Sequence, residues 1–236
     1  MAVGGGAFSF DAGRGPLEDH WLDLARQVNG RRRPRVCFVG TASGDDAAAV
    51  GRFHAVFGDV AETTELALFA RTVGDIEAFL LEQDAVFVGG GNTASLLGVW
   101  RAHGVDRAMR RAHDAGVVLA GRSAGSICWF EGGTTDSFGP TLQPLTGGLG
   151  LVPGSNCPHY DGEPERRPLY LDLVERGILP AGIAVDDHAA AVFDGSELVE
   201  VVAAHPGPAA YRVEAGVDGV VETRLPVRAL TPGRPR

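Results

Sequence analysis

Gly121-Arg122-Ser123-Ala124-Gly125 combines the residue types that acyl transfer needs at the spacing it needs them. The apolar run Val117-Val118-Leu119-Ala120 before it reads as a short buried strand, and Ser126-Ile127-Cys128-Trp129-Phe130 after it can begin a helix. A Gly-x-Ser-x-Gly between strand and helix is a nucleophile elbow, a turn that holds one Ser in a strained, exposed conformation. Its two glycines let neighbouring backbone approach closely. The amide of Ala124 falls at a helix start, where N–H groups have no internal partner and favour negative charge, so it is a candidate oxyanion donor. The competing reading is a Gly-rich turn with an incidental Ser.

A Ser is a weak nucleophile until a base takes its proton. His159, in Ser155-Asn156-Cys157-Pro158-His159-Tyr160-Asp161-Gly162-Glu163, is the first candidate base, set in a polar loop among turn-forming residues. His188, in Asp186-Asp187-His188, stands near a strand end and is a weaker one. His20, His54, His103 and His113 fall in predicted helices and read as surface or packing residues, and His205 precedes a Pro-Gly turn. A catalytic imidazole is oriented by a carboxylate. Asp136, in Gly133-Thr134-Thr135-Asp136-Ser137, is the first choice. Glu131, directly after the elbow helix, is the alternative. Asp161 lies so near His159 that it reads as loop support, and Asp136 itself can instead cap its own turn.

The loop Gly89-Gly90-Gly91-Asn92-Thr93 follows another apolar run, Ala85–Val88. Glycines there let backbone N–H groups face a cleft. The amide of Gly91 is the second candidate oxyanion donor, and Gly90 and Asn92 are candidate substrate contacts. Arg166 and Arg167 are candidates for holding a substrate carboxylate bidentately; the alternative is a solvent-facing pair at a helix start. Phosphate-loop chemistry is disfavoured, because Gly-x-x-x-x-Gly-Lys-[Ser/Thr] is missing and the chain has no Lys. Gly4-Gly5-Gly6 lacks the third spaced glycine of a dinucleotide fingerprint.

These residues need a frame. Helical spacing marks Leu17–Val28, Asp46–Phe57, Gly74–Leu81, Thr93–Ala102 and Asp106–Ala115; Val36–Val39, Thr64–Leu68, Ala85–Val88 and Val117–Ala120 read as strands between them. The alternation predicts an α/β fold of three layers, α/β/α and flavodoxin-like, around a mostly parallel sheet. Ligands bind such sheets beyond the carboxyl ends of the strands. The stretch Gly132–Pro164 is rich in Gly, Pro, Thr and Asn and reads as a long functional loop. Arg166–Arg176 is helical again, and short antiparallel strands follow at Ile183–Val185, Ala189–Phe193, Leu198–Ala203 and Ala210–Val213. Residues 1–225 read as one domain, with a frayed tail over 226–236.

With 236 residues, 44% of them apolar, the chain can bury a sizeable core. A formal charge of −9 argues against nucleic acid as a partner. The basic run Arg31–Arg35 is short and reads as a solvated loop. Cys37, Cys128 and Cys157 are widely spaced and match neither a disulfide framework nor a metal site. No signal-peptide pattern opens the chain and no apolar run suits a bilayer span, so no membrane contact and a cytoplasmic protein with reduced thiols are expected.

Four motifs in order carry a family resemblance: Phe87-Val88-Gly89-Gly90-Gly91-Asn92-Thr93, Gly121-x-Ser123-Ala124-Gly125, Thr134-Thr135-Asp136 and Asn156-x-Pro158-His159. From about Val36 to Glu200 the chain resembles the peptidase E (aspartyl dipeptidase) family of serine peptidases. The resemblance implies a class I glutamine amidotransferase-like fold, with Ser123 as nucleophile, His159 as base, an acid near Asp136, and oxyanion donors at Gly91 and Ala124. It implies short peptide substrates, cut in some members only after an N-terminal Asp, with no metal or other cofactor and a homodimer. The chain departs from the aspartyl dipeptidase pattern around Cys157 and Asp161-Gly162-Glu163, and its Thr134-Thr135 stands one residue nearer the elbow. The rival readings are an α/β-hydrolase-type esterase and a non-catalytic binding protein on the same fold.

Overall fold

The computed structural model describes residues 1–6 and 13–231. Its first half alternates strands and helices: β1 (Ala2–Val3), α1 (Pro16–Asn29), β2 (Arg35–Val39), α2 (Ala47–Phe57), β3 (Glu62–Glu65), α3 (Ile76–Leu81), β4 (Ala85–Val88), α4 (Thr93–His103), α5 (Val105–Asp114), β5 (Val118–Arg122) and α6 (Ala124–Ile127). β1, β5, β4, β2 and β3 lie side by side in that order, all parallel. Both faces of this sheet are covered. Val36 and Phe38 of β2 and Ala85 and Phe87 of β4 pack on Trp21, Leu22, Phe53 and Phe57 of α1 and α2. Cys37, Val39, Val86 and Val88 pack on Leu80, Leu96, Trp100 and Met109 of α3, α4 and α5. Burial on both faces is why these strands are unbroken apolar runs. The result is an α/β fold with helices on both sides of a mostly parallel sheet.

Local chemistry sets the helix ends that matter for the site. The side chain of Asn92 accepts the Ser95 N–H at 2.8 Å and so starts α4. Gly104, at φ 75°, ends it. α4 therefore begins inside the Gly89–Thr93 loop at the carboxyl end of β4.

The second half adds β6 (Gly132–Thr135), β7 (Gln143–Thr146), β8 (Ser155–Cys157), α7 (Arg166–Glu175), β9 (Gly182–Val185), β10 (Ala189–Asp194), β11 (Glu197–Ala203), β12 (Ala210–Gly216), β13 (Gly219–Arg224) and β14 (Arg228–Ala229). β10 joins β1 antiparallel, and β11 and β14 extend the first sheet to eight strands. The remaining strands form a second, six-stranded sheet in the order β13-β12-β9-β8-β6-β7, whose centre β9-β8-β6 is parallel.

Two expectations from sequence need correction. Gly132–Pro164 is not one loop but contains three strands of that second sheet. They are three or four residues long, and their buried positions include Thr134, Thr135, Ser155 and Asn156 rather than an apolar alternation. Hydrogen bonds satisfy these polar groups: Thr134 Oγ1 donates to Cys157 Sγ at 3.0 Å, and Asn156 Nδ2 donates to the Ile183 carbonyl at 2.9 Å. The tail is also not frayed from residue 226. Arg228 and Ala229 pair with Val202 and Ala203, and Leu230 N–H donates to the Ala203 carbonyl. Residues 232–236 lie outside the described residues.

Candidate active site

Ser123 sits where β5 ends, at φ 53° and ψ −117°. A non-glycine residue rarely adopts a positive φ, and the strain aims the side chain out of the turn. Glycine on either side is obligatory. A Cβ at Gly121 would lie 2.2 Å from the Gly125 carbonyl oxygen, and one at Gly125 would lie 2.3 Å from that of Val88. The N–H of Ser123 donates to the Val3 carbonyl at 3.2 Å, which fixes the elbow against the end of β1. Its hydroxyl makes no hydrogen bond among the described residues.

The second sheet positions the imidazole of His159. His159 follows β8, and Asp187 follows the neighbouring parallel strand β9. His159 Nδ1 and Asp187 Oδ1 are 2.6 Å apart. That hydrogen bond holds the Asp187 carboxyl below its ordinary value, against the opposing effect of burial. A carboxylate only accepts, so Nδ1 carries the proton and Nε2 is left as a proton acceptor. Asp161 Oδ1 accepts the Asp187 N–H at 2.8 Å, and Tyr160 N–H donates to the Val185 carbonyl. His159 is itself held at φ 54°.

Gly5 joins the two halves. It forms a parallel bridge with Asp187, linking the end of β1 to the end of β9. A Cβ there would lie 2.1 Å from Asp187 Oδ1 and 2.5 Å from His159 Cε1. Val3 thus touches the elbow, and Gly5, two residues on, touches the His–Asp pair. A second tie runs from Ser126 Oγ of α6 to Asn156 Oδ1 of β8 at 2.8 Å.

The structure brings neither Asp136 nor Glu131 to the His159 ring. Glu131 precedes β6, and since β6 and β8 are parallel it lies at the opposite end of the sheet from His159; its carboxylate accepts the Gly154 N–H at 3.0 Å. Asp136 is at the correct end of β6, but exposed and on the far side of β8 from the face His159 uses. The neighbouring Ser137 caps α4 instead: its Oγ accepts the Thr93 N–H at 2.9 Å, and Asn92 Nδ2 donates to its carbonyl. Asn92 is thereby a structural brace between loop and strand. Arg166 is buried, with its guanidinium on Glu163 and the Thr134 carbonyl, and Arg167 pairs with Glu222. His188 donates its N–H to the Gly5 carbonyl and sets its ring at a tilt against that of His205.

Gly91, at φ 139°, passes so close to the Ala42 carbonyl oxygen that a Cβ would lie 2.2 Å from it. Neither its N–H nor that of Ala124 is hydrogen-bonded among the described residues. The candidate residues are thus a half-buried Ser123 on strained backbone, an oriented imidazole and two amide donors without internal acceptors among the described residues.

The profile of peptidase family S51 matches residues 2–201. The chain belongs to peptidase family S51. Its relatives in the family include "Uncharacterized peptidase YgaJ" of Bacillus subtilis, 42% identical over 231 residues that span 98% of each chain. A peptidase E of Streptomyces coelicolor is 35% identical over 154 residues, 63% of this chain and 59% of that one. In fold, the chain is similar to the crystal structure of a peptidase from an acI-B1 Actinobacterium, with a TM-score of 0.68 at 17% identity, covering 95% and 92% of the two chains. Among the described residues, no group of three His, Cys, Asp or Glu side chains is placed to hold a metal ion, and no helix is long and apolar enough to cross a membrane.

Proposed function

We propose that this S51 peptidase is a serine enzyme that hydrolyses short peptides through an acyl-enzyme, with Ser123, His159 and Asp187 as its triad. One observation carries the reading: the His159–Asp187 pair is packed on Gly5, two residues from the Val3 carbonyl that anchors the Ser123 elbow.

Ser123 Oγ attacks the peptide carbonyl carbon while His159 Nε2 takes the hydroxyl proton. The oxyanion accepts hydrogen bonds from the Gly91 and Ala124 amides, each donor worth about 10²–10³-fold in rate. The C–N bond then breaks and the leaving amine takes the proton from Nε2. Water attacks the ester, passes its proton to Nε2, and the acid departs as Ser123 Oγ recovers that proton. Asp187 stays ionised throughout; it fixes the Nδ1–H tautomer and stabilises the imidazolium.

The test is a library of dipeptides and tripeptides followed by mass spectrometry, beside labelling with a fluorophosphonate. Cleavage of short peptides, with label on Ser123 lost in Ser123→Ala, is the expected result. A wild-type protein that is neither labelled nor active would leave the non-catalytic rival standing, and cleavage of aryl esters alone would favour the esterase.

A further inference from the structure

His159 is held at φ 54°, a strained conformation for any residue with a side chain, and such strain persists only where the surroundings over-determine it. Part of the restraint is its own. The Gly162 N–H donates to the His159 carbonyl at 3.2 Å, and Asp187 holds the ring. The next residue, Tyr160, is anchored at both ends. Its N–H donates to the Val185 carbonyl, and its buried side chain ends on a charged partner.

That partner comes from the edge of the second sheet. Tyr160 packs edge-on against Tyr170 of α7, with ring centroids 6.3 Å apart, and at a tilt against Tyr211 of β12 at 5.4 Å. Its hydroxyl donates to Oε1 of Glu222 on β13, the edge strand. Oε2 of the same carboxylate accepts from Arg167. The Arg167 guanidinium lies over both tyrosine rings, 5.6 Å from the Tyr160 centroid and 5.7 Å from that of Tyr211. β12 in turn pairs with β9, the strand that leads to Asp187. The β12–β13 hairpin thus borders the acid through its backbone and the base through Glu222.

The chemistry of the cluster favours one arrangement. Burial pushes the Tyr160 hydroxyl up from its ordinary value and the hydrogen bond to Glu222 adds to the rise, so it stays a donor. A hydrogen bond to a carboxylate is shorter and stronger than one between neutral groups. A tyrosine fixed at ring and hydroxyl has no freedom left at its Cα–Cβ bond. One planar peptide unit joins that Cα to the Cα of His159, so the restraint passes to the base.

We propose that Glu222 is a positioning residue for the catalytic base: by gripping the Tyr160 hydroxyl it fixes the backbone of His159 and keeps the imidazole on Asp187. The proposal rests on the peptidase reading, and it places part of the control of the base on a hairpin that follows the triad in sequence.

The first readout needs no turnover. In protein carrying isotope-labelled histidine, a proton on His159 Nδ1 shared with a carboxylate at 2.6 Å gives a far-downfield magnetic resonance signal, identified by its loss in His159→Gln. Tyr160→Phe keeps the packed ring and removes only the hydroxyl. In it and in Glu222→Ala the signal is expected to broaden or vanish by exchange with water. Glu222→Gln, which keeps an accepting oxygen, should retain it. Glu214→Ala, exposed on the same hairpin, should leave it in place. The second readout is kinetic. Tyr160→Phe and Glu222→Ala should each lower kcat about 10-fold with KM within about twofold, the scale of a sub-ångström misplacement. Fluorophosphonate labelling should slow in step. The double variant should lose no more than the worse single one, since both cut the same link. A signal and kcat unchanged in both single variants overturn the proposal, even where the melting temperature falls, because that is the mark of a purely structural contact. A Glu222→Gln protein no better than Glu222→Ala overturns it too, as does absence of the signal in wild type. If wild type is neither labelled nor active, the peptidase reading fails, while the signal still decides whether Glu222 positions His159.

Discussion

The Ser123 elbow and the His159–Asp187 pair each fix one reactive group, and they do so by opposite means. The elbow is local. Five consecutive residues make it, and two of them are glycines because backbone carbonyls occupy the space a Cβ would need. The pair is distant. Its members stand 28 positions apart, brought together because β8 and β9 are parallel neighbours, and wedged in place by a glycine from the first strand. A local device is written in the order of residues. A distant one is written in the order of strands, which no short window of sequence contains.

Removing the hydroxyl itself should have the largest effect. Ser123→Ala is expected to lower kcat by about 10⁴–10⁶-fold with its thermal melting preserved, and a variant that keeps more than a tenth of the activity would refute the elbow as the seat of catalysis. Asp187→Asn comes next, at about 10⁴-fold, because the amide can reverse the imidazole tautomer. The same variant tests the pair by pH. Pairing lowers the Asp187 carboxyl in the folded state, so its stabilising contribution is full above the ordinary carboxylate value near about pH 4 and is lost as pH falls through the lower folded value. The Tm gap between wild type and Asp187→Asn should therefore be widest near neutral pH and close as pH falls below the ordinary carboxylate range.

Gly5→Ala sharpens the comparison further, since it touches the pair and changes no functional group. Its methyl would collide with the His159 ring and with Asp187, and a displacement near 1 Å is expected to lower kcat/KM by about 10²-fold. Near-normal labelling of Ser123 in that variant would show that the elbow survives when the pair is displaced. The smallest effect is expected for Asp136→Asn. This carboxylate is exposed and serves no partner in the site, so activity should remain within about threefold of wild type. A severe loss there would shift the orienting role back to Asp136.

The same contrast explains what was legible. β2, β4 and β5 declare themselves because burial on both faces demands unbroken apolar runs, and the helices between them follow the 3.6-residue period. β6 and β8 do not, since their short buried segments are built from Gly, Thr, Ser and Asn and satisfied by hydrogen bonds rather than by an apolar face. Asp136 looked suitable because it does stand at the carboxyl end of β6. What sequence did not contain is that β8 separates β6 from β9, and that His159 turns toward β9. A signal for Asp187 exists in Asp186-Asp187-His188, at the end of an apolar strand. Gly4-Gly5-Gly6 after an apolar start is likewise a sign of close approach at a strand end.

β1 has a bearing on how the molecule matures. It contributes two residues to the first sheet, yet it is clasped between β5 and β10, and Gly5 waits for Asp187. Contacts of such long sequence separation form late. A ribosome must release most of the polypeptide before Gly5 can meet Asp187 and the proposed triad can assemble. Unfinished chains and C-terminal truncations ending before β9 lack Asp187 and, on the proposed triad, are unarmed.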